Sequence, residues 1–161
     1  MTPDVVLTID PGLMGTGVVV WDANDWNNDI QNMRFSSKLF TSREKEWSLA
    51  ARDIALQIVK WLKPSNVIMM YVEFPQNFQS ALGQSISNRG DLFKLVFLIG
   101  CIRGAFMDST FLPVSVPEWK GQLPKAEVER RCKRVIPEKQ WVESNHVWDA
   151  VGIGLYLRDK I

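Results

Sequence analysis

Short apolar runs near the start of the chain predict three successive β-strands. Residues 5–10 are almost uniformly apolar, which is typical of a buried strand. After a glycine-containing turn, the valine-rich residues 16–21 predict a second strand that pairs with the first as a hairpin. Residues 33–40 predict a third strand, and Arg34 and Lys38 favour an edge position for it.

The next pattern is that of an amphipathic helix. Apolar residues recur three and four positions apart over residues 42–62. Thr41 and Glu44 match a capping box, which makes Thr41 the expected N-cap. Pro64 ends the pattern. We therefore predict a helix directly after the third strand.

Strand and helix patterns then alternate to the end of the chain. They cover residues 67–72, about 88–107, 111–116, 124–135 and about 145–157. Pro117 closes the last strand, Pro124 is expected at the first position of its helix, and Ser144 or Asn145 caps the final helix. This order predicts an α/β fold with a mixed five-stranded sheet and helices on both faces, in a single domain spanning residues 1–161.

Composition limits the classes of protein that fit. The chain has 161 residues, of which 46% are apolar and 23% charged, which is ordinary usage for a soluble globular protein. The N-terminus lacks the basic start of a signal peptide, and the most apolar stretch is short for a membrane span. Two cysteines are too few for a disulfide scaffold or a zinc site. We expect a reduced, cytoplasmic protein.

The small net charge of +1 conceals an uneven distribution of charge. Residues 1–33 contain five acids and no lysine or arginine, so residues 34–161 carry all 19 basic residues and a net charge of +6. The densest basic stretch runs from Lys120 to Lys139. An anionic partner would explain it, but the interleaved glutamates favour a solvated helix face.

Three acids lie at the edges of predicted core elements. Asp10 ends the first strand, Glu73 ends the central strand, and Asp149 lies near the C-terminus. If the two strands are neighbours, their acids meet at one edge of the sheet, where open α/β sheets bind ligands. Unpaired buried carboxylates are costly, whereas oxygen ligands and negative charge are what Mg²⁺ prefers. The sequence therefore predicts a carboxylate cluster that binds a divalent cation.

Short motifs around these acids resemble those of the RuvC Holliday junction resolvases, which are ribonuclease-H-like nucleases. The motifs are Ile-Asp-Pro-Gly at residues 9–12, Thr-Gly at 16–17, Glu73, and His-Val-Trp-Asp-Ala at 146–150. The resemblance spans most of the chain in order, with close identity confined to these motifs. A loop after Glu73 that is slightly shorter than in cellular members, and the lack of their usual tail, fit a phage or prophage member.

The resemblance implies a metal-dependent endonuclease that resolves Holliday junctions and related branched DNA by paired nicks. Two Mg²⁺ ions, or Mn²⁺ in their place, can activate water and stabilise the leaving oxygen in phosphodiester hydrolysis. Asp10 is the natural bridging ligand, with Glu73 on one ion and Asp149 on the other. His146 lies three residues before Asp149 on the same helix face, and either a ligand role or a proton-transfer role fits it.

The same resemblance indicates residues that contact DNA. Arg89, Lys120 and Lys125 fall where the family has similar residues, and the two lysines flank a loop expected beside the metal edge. Phe78 stands in a polar context and is a candidate for stacking on a base at the branch point. Gly12 would let the backbone approach DNA or metal closely, although a plain turn explains it equally well.

The helix between Leu92 and Phe106 is apolar on nearly every face. Full burial of such a helix needs a second partner, which is either another part of the same core or another subunit. The resemblance favours a homodimer through this helix, with two sites on symmetric strands of a junction.

Two other functions fit parts of the sequence. An actin-like ATPase or sugar kinase also begins with an Asp-Gly hairpin, but such proteins need two domains of this kind and a much longer chain. A non-catalytic DNA-binding module on the same fold is the second alternative, and the presence of Asp10, Glu73 and Asp149 together argues against it.

Overall fold

The structure, a computed structural model, describes residues 2–26, 34–75, 90–142 and 144–159. Its strands are β1 (Asp4–Asp10), β2 (Thr16–Asp22), β3 (Phe35–Phe40), β4 (Asn66–Phe74) and β5 (Thr110–Ser115). Its helices are α1 (Trp47–Leu62), α2 (Asp91–Ala105), α3 (Val116–Trp119), α4 (Lys125–Val135) and α5 (Asn145–Leu157), with a 3-10 turn at Glu138–Gln140.

The strands form one mixed sheet in the order β3-β2-β1-β4-β5, which confirms the predicted five-stranded sheet. β1 and β2 are antiparallel, as are β2 and β3, whereas β4 runs parallel to both β1 and β5. β3 lies at an edge, as Arg34 and Lys38 indicated. Because Ile9 pairs with Val72, Asp10 and Glu73 leave adjacent parallel strands at the same end of the sheet.

Helices cover both faces of the sheet. On one face, α1 and α2 pack against the sheet, and the core between them includes the fully buried Leu7 of β1, Ile54 of α1 and Leu98 of α2. On the other face, α3, α4 and α5 enclose a second core that includes Trp148 and Ile153. β1 contributes residues to both cores, which explains why its sequence is a continuous apolar run.

The predicted capping box at the start of α1 is wrong. The helix begins at Trp47, and the side chain of Glu46 caps it by accepting hydrogen bonds from the amides of the next turn. The hydroxyl of Ser42 instead donates to Asp53 at 2.6 Å and accepts a bond from the amide of Glu44. These bonds fix a turn before the helix, and such local hydrogen bonding by serine competes with helix formation.

The chain after β5 also differs from the prediction. The strand ends at Ser115, and Val116 begins the short helix α3, for which Ser115 and Glu118 form a capping box. Pro117 therefore lies in a first helical turn rather than after a strand, and this position tolerates proline because its amide needs no partner. Pro124 is the N-cap of α4, one position before the predicted one.

The final helix begins at Asn145, and Ser144, one of the two predicted capping residues, is the N-cap by position but makes no capping hydrogen bond through its side chain. Among the described residues, no helix combines the length and apolar character needed to cross a membrane.

Candidate active site

Three acids from separate elements converge at one end of the sheet. Asp10 is the last residue of β1, Glu73 lies near the end of β4, and Asp149 lies in the second turn of α5. Their side chains are only 8%, 17% and 4% exposed, respectively. The structure thus brings together the acids that the sequence singled out.

Lys120 lies between two of these acids. Its ammonium is 3.1 Å from Oδ2 of Asp149 and 3.8 Å from Oε2 of Glu73, and only 12% of its side chain is exposed. The ammonium also lies over the ring of Trp119, 4.7 Å from the centroid. Trp119 is the last residue of α3 and Lys120 is its C-cap, so the end of this short helix places a cation at the acid cluster.

Burial and the charge of a neighbouring acid raise the pKa of two of the three acids, Glu73 and Asp149. Burial is the largest cause that raises the pKa of Glu73, to about 7, and the charge of Asp10 adds to it. Burial also raises the pKa of Asp149, with the charge of Asp10 acting in the same direction. Lys120 opposes both shifts. The cluster is therefore a place where further positive charge stabilises the ionised carboxylates.

His146 contacts the first acid directly. Its Nδ1 is 2.6 Å from Oδ2 of Asp10, and this hydrogen bond is the main cause that raises the pKa of His146. The sequence placed His146 on one helix face with Asp149 but gave no indication of this pairing with β1. The histidine therefore joins α5 to the end of β1.

Gly17 of β2 permits the close approach of α5 that places His146. A Cβ at this position would overlap the carbonyl group of His146 and lie 2.7 Å from the amide nitrogen of Val147. Gly17 lies within β2, inside the strand predicted over residues 16–21, but the sequence pattern did not indicate its contact with α5. A residue with any side chain here would push the start of α5 away from the sheet.

Trp119 is a site residue that the sequence analysis missed. It is buried, and its indole N–H donates to Oε2 of Glu73 at 2.9 Å. The sequence did not indicate this role, because a lone tryptophan before a basic loop is most simply a core residue. The bond from Trp119 to Glu73 also depends on α3, which was not predicted. The indole holds one carboxylate oxygen of Glu73 in a fixed direction.

The other predicted DNA-binding residues have different outcomes. Phe78 and Arg89 lie outside the described residues. Lys125 is the exposed first residue of α4. It lies close enough to His146 and Asp149 for its charge to oppose the rise in the pKa of both groups. Gly12 lies beside the ring of His146: a Cβ added to this glycine would be 3.4 Å from Cε1 of the ring. Phosphate contacts by Lys120 and Lys125 stay predictions.

The basic stretch includes the amphipathic helix α4, in which basic and acidic side chains form ion pairs within the helix. Glu127 pairs with Arg130 and Arg131, and Glu129 pairs with Lys133. These contacts support the interpretation of α4 as a solvated helix face.

The acid cluster fits a hard divalent cation in its chemistry. Carboxylate oxygens that are buried and repel one another are the donors that Mg²⁺ and Mn²⁺ bind. Within the described ranges, no group of three Asp, Glu, His or Cys side chains is already arranged to hold one ion. Lys120 neutralises Glu73 and Asp149 in this arrangement, so an ion and the lysine compete for the same oxygens.

Comparisons with solved structures identify the fold. A structure of Thermus thermophilus RuvC matches with a TM-score of 0.64 at 17% identity, over 94% of this chain and 92% of that chain. T. thermophilus RuvC in complex with Holliday junction substrate matches at 0.66 and 17%, over 94% and 90%. The yeast mitochondrial Holliday junction resolvase Ydc2 matches at 0.53 and 12%, over 96% and 79%.

The chain therefore has the ribonuclease-H-like α/β fold of these proteins, as predicted. No protein-family model matches the sequence, and no curated protein matches it at a significant level. None of these comparisons bears on a phage origin, which stays a prediction.

Proposed function

We propose that the protein is a metal-dependent endonuclease that resolves four-way DNA junctions by paired nicks. The observation that carries the proposal is the convergence of Asp10, Glu73 and Asp149 at the ends of the strands β1 and β4. The similarity to RuvC in complex with Holliday junction substrate supports branched DNA as the substrate class. A binding module without catalysis would not need to hold three mutually repelling carboxylates in one buried place.

In this proposal, Asp10, Glu73 and Asp149 hold the divalent ions, two to a site. Bound Mg²⁺ or Mn²⁺ supplies an activated water and stabilises the leaving oxygen. Trp119 orients Glu73 through the indole N–H, and His146 holds a proton at Nδ1 against Asp10. Lys120, which contacts Glu73 and Asp149, would be a phosphate contact if bound ions took over these oxygens, and the exposed Lys125 would contact the backbone nearby.

Three measurements on one preparation separate this function from its alternatives. A synthetic four-way junction is incubated with the protein with and without Mg²⁺ or Mn²⁺, alongside assays of ATP turnover and of junction binding. We expect cleavage that depends on the metal, and no ATP turnover. Binding without cleavage would favour the non-catalytic module, and ATP turnover would favour the actin-like ATPase.

Replacing Trp119 by Phe tests its positioning of Glu73. The variant keeps an aromatic ring but loses the N–H that donates to Oε2. Because a hydrogen bond to a charged group contributes about 1.5–3 kcal/mol, we expect the single-turnover cleavage rate to fall about tenfold or more at saturating metal. Trp21→Phe is the matched control, since this buried indole donates to Thr8 instead. If both variants lose stability but cleave equally well, Trp119 is only a core residue.

We also propose that the protein is a homodimer through α2. Leu98, Ile99 and Ile102 of this helix are buried in the protomer, whereas Phe93 is 75% exposed. Val96 and Phe97 are also exposed, and Gly100 and Gly104 have open space around them. These residues follow the three-and-four spacing of one helix stripe, so they form a continuous apolar surface of the kind that soluble monomers avoid.

Phe93→Asp is expected to split this dimer without unfolding the protomer. Phe93 is highly exposed, so the change places a charge in the interface rather than in the core. Sedimentation equilibrium should show a dimer for the natural protein and a monomer for Phe93→Asp, while Phe93→Tyr keeps the ring and stays a dimer. A monomeric natural protein, with or without junction DNA, would refute the dimer and leave the acid cluster unaffected.

A further inference from the structure

A cleft of about 700 Å³ opens beside the turn that joins β1 to β2. One wall is the turn itself, and the others are the residues that precede and begin α1 and the first turns of α2. Its lining includes Gly12, Leu13, Met14, Trp47, Lys94 and Leu95.

The walls of the cleft combine an apolar floor with a charged rim. Leu13 and Leu95 are half-buried and pack against the core, so they form a fixed base. Trp47 is 40% exposed, and its ring is held edge-to-face against Phe97 at a centroid distance of 5.2 Å. Met14 is 91% exposed at the tip of the turn, where it contributes nothing to the core. An exposed thioether and an aromatic ring over an apolar floor suit a flat, polarisable ligand.

The rim supplies both signs of charge. Lys45 is exposed and lines the cleft together with Glu44, while Lys94 pairs with Asp91 at 3.0 Å. The lysine ammonium groups can contact phosphate, and the polar groups can contact the edge of a heterocycle. An unstacked nucleobase that is attached to a phosphodiester backbone has this combination of a flat face, a polar edge and an adjoining anion.

Gly12 connects the cleft to the acid cluster. It lines the cleft, and it also lies beside the ring of His146, whose Nδ1 contacts Asp10. The turn therefore lies between the cleft and the acids. A Cβ on Gly12 would lie 2.8 Å from the carbonyl oxygen of Gly15 and 3.4 Å from Cε1 of His146, so the absence of a side chain lets the turn lie close against this ring. A DNA strand that presents a phosphate to the acids can place a neighbouring nucleotide over this turn.

We propose that this cleft holds an unstacked nucleobase of the cleaved strand, next to the phosphate at the acid cluster. The inference rests on the proposed nuclease function and adds a binding site to it. Met14 and Trp47 contact the base, and Lys45 contacts its backbone. The base leaves the helical stack most easily beside a branch point, where it has already lost part of its stacking.

The test uses four-way junctions that carry 2-aminopurine, whose fluorescence reports stacking, at each nucleotide near the branch point in turn. Binding is measured without added metal, so that no strand is cut. We expect one position to change its fluorescence when the natural protein binds. The change should be lost in Met14→Ala and in Trp47→Leu, and the affinity for the junction should fall about fivefold or more.

Met107→Ala is the matched control, because this methionine is also exposed, at 75%, but lies outside the cleft. Its fluorescence change and affinity should equal those of the natural protein. Met14→Ala keeps the test decisive if Trp47→Leu fails to fold, since Met14 makes no core contact.

The base site and the nuclease function fail in different ways. The base site is wrong if no 2-aminopurine position changes its fluorescence on binding. It is also wrong if the change persists in Met14→Ala. Either result holds even when the natural protein cuts junctions in the presence of metal. A response that the Met14 variant abolishes supports the base site. If the fluorescence response supported the base site but the natural protein cut no strand with either metal, the nuclease function alone would be wrong.

Discussion

Asp10→Asn is expected to abolish metal-dependent cleavage of a four-way junction and to leave junction binding largely intact. Asp10 is central to the cluster: it raises the pKa of both Glu73 and Asp149 through its charge, and it accepts the hydrogen bond from His146. The amide has the same shape but no charge, so it would remove the proposed metal ligand without opening a cavity. We expect the cleavage rate to fall about 10³-fold or more, since metal ions contribute several kcal/mol to such reactions.

Binding should survive the change because contacts between basic side chains and phosphates do not depend on Asp10. Asp108→Asn is the matched control: it is the same chemical change at an exposed acid, after α2 and outside the cluster. It should cleave at the natural rate. Substantial metal-dependent cleavage by a pure preparation of Asp10→Asn would refute the assignment of Asp10 as a metal ligand.

Gly17→Ala is expected to destabilise the fold more than any other glycine substitution in the β1–β2 hairpin. The added methyl group would overlap the carbonyl of His146 and press on the amide of Val147. Both obstacles are backbone atoms at the start of α5, so no side chain can rotate away. The helix must move from the sheet, and we expect a loss of about 3 kcal/mol or more in the free energy of unfolding.

Gly15→Ala provides a graded comparison within the same hairpin. A Cβ at Gly15 would meet the end of the Leu39 side chain at 3.2 Å, and this partly exposed side chain can give way. Chemical denaturation of the two variants should therefore show a much smaller loss for Gly15→Ala. Equal stabilities for both variants would mean that α5 does not pack against β2 as closely as described.

The position of the acid cluster could be predicted because it follows from strand order. β1 and β4 have apolar sequences that end in Asp10 and Glu73, and right-handed connections make these strands parallel neighbours. Asp149 joined the predicted cluster because it lies at the edge of a core element, and the resemblance added its role, but the local pattern of α5 does not indicate that its N-terminal turns lie over the strand ends. The sheet confirms the first inference, and the contacts of Lys120 with both Glu73 and Asp149 agree with the second.

The contacts around the acids could not be predicted because they join residues that are far apart in the sequence. The bond from Trp119 to Glu73 depends on α3, which was hidden because residues 111–116 have the composition of a strand. The bond between His146 and Asp10 depends on the close approach that Gly17 permits. The error at Thr41 arose from a local pattern. Thr41 and Glu44 match a capping box, but Ser42 donates to Asp53 and the helix begins later, at Trp47.

The most direct test of the proposed function is to map nicks on a synthetic four-way junction with each strand labelled in turn. The experiment compares the natural protein in Mg²⁺ or Mn²⁺ with the same protein in a chelator, under single-turnover conditions. We predict nicks at symmetric positions on two opposing strands, only when metal is present. Tight binding of the junction without a nick on any strand, in either metal, would contradict the proposal that this acid cluster is the active site of a junction-resolving nuclease.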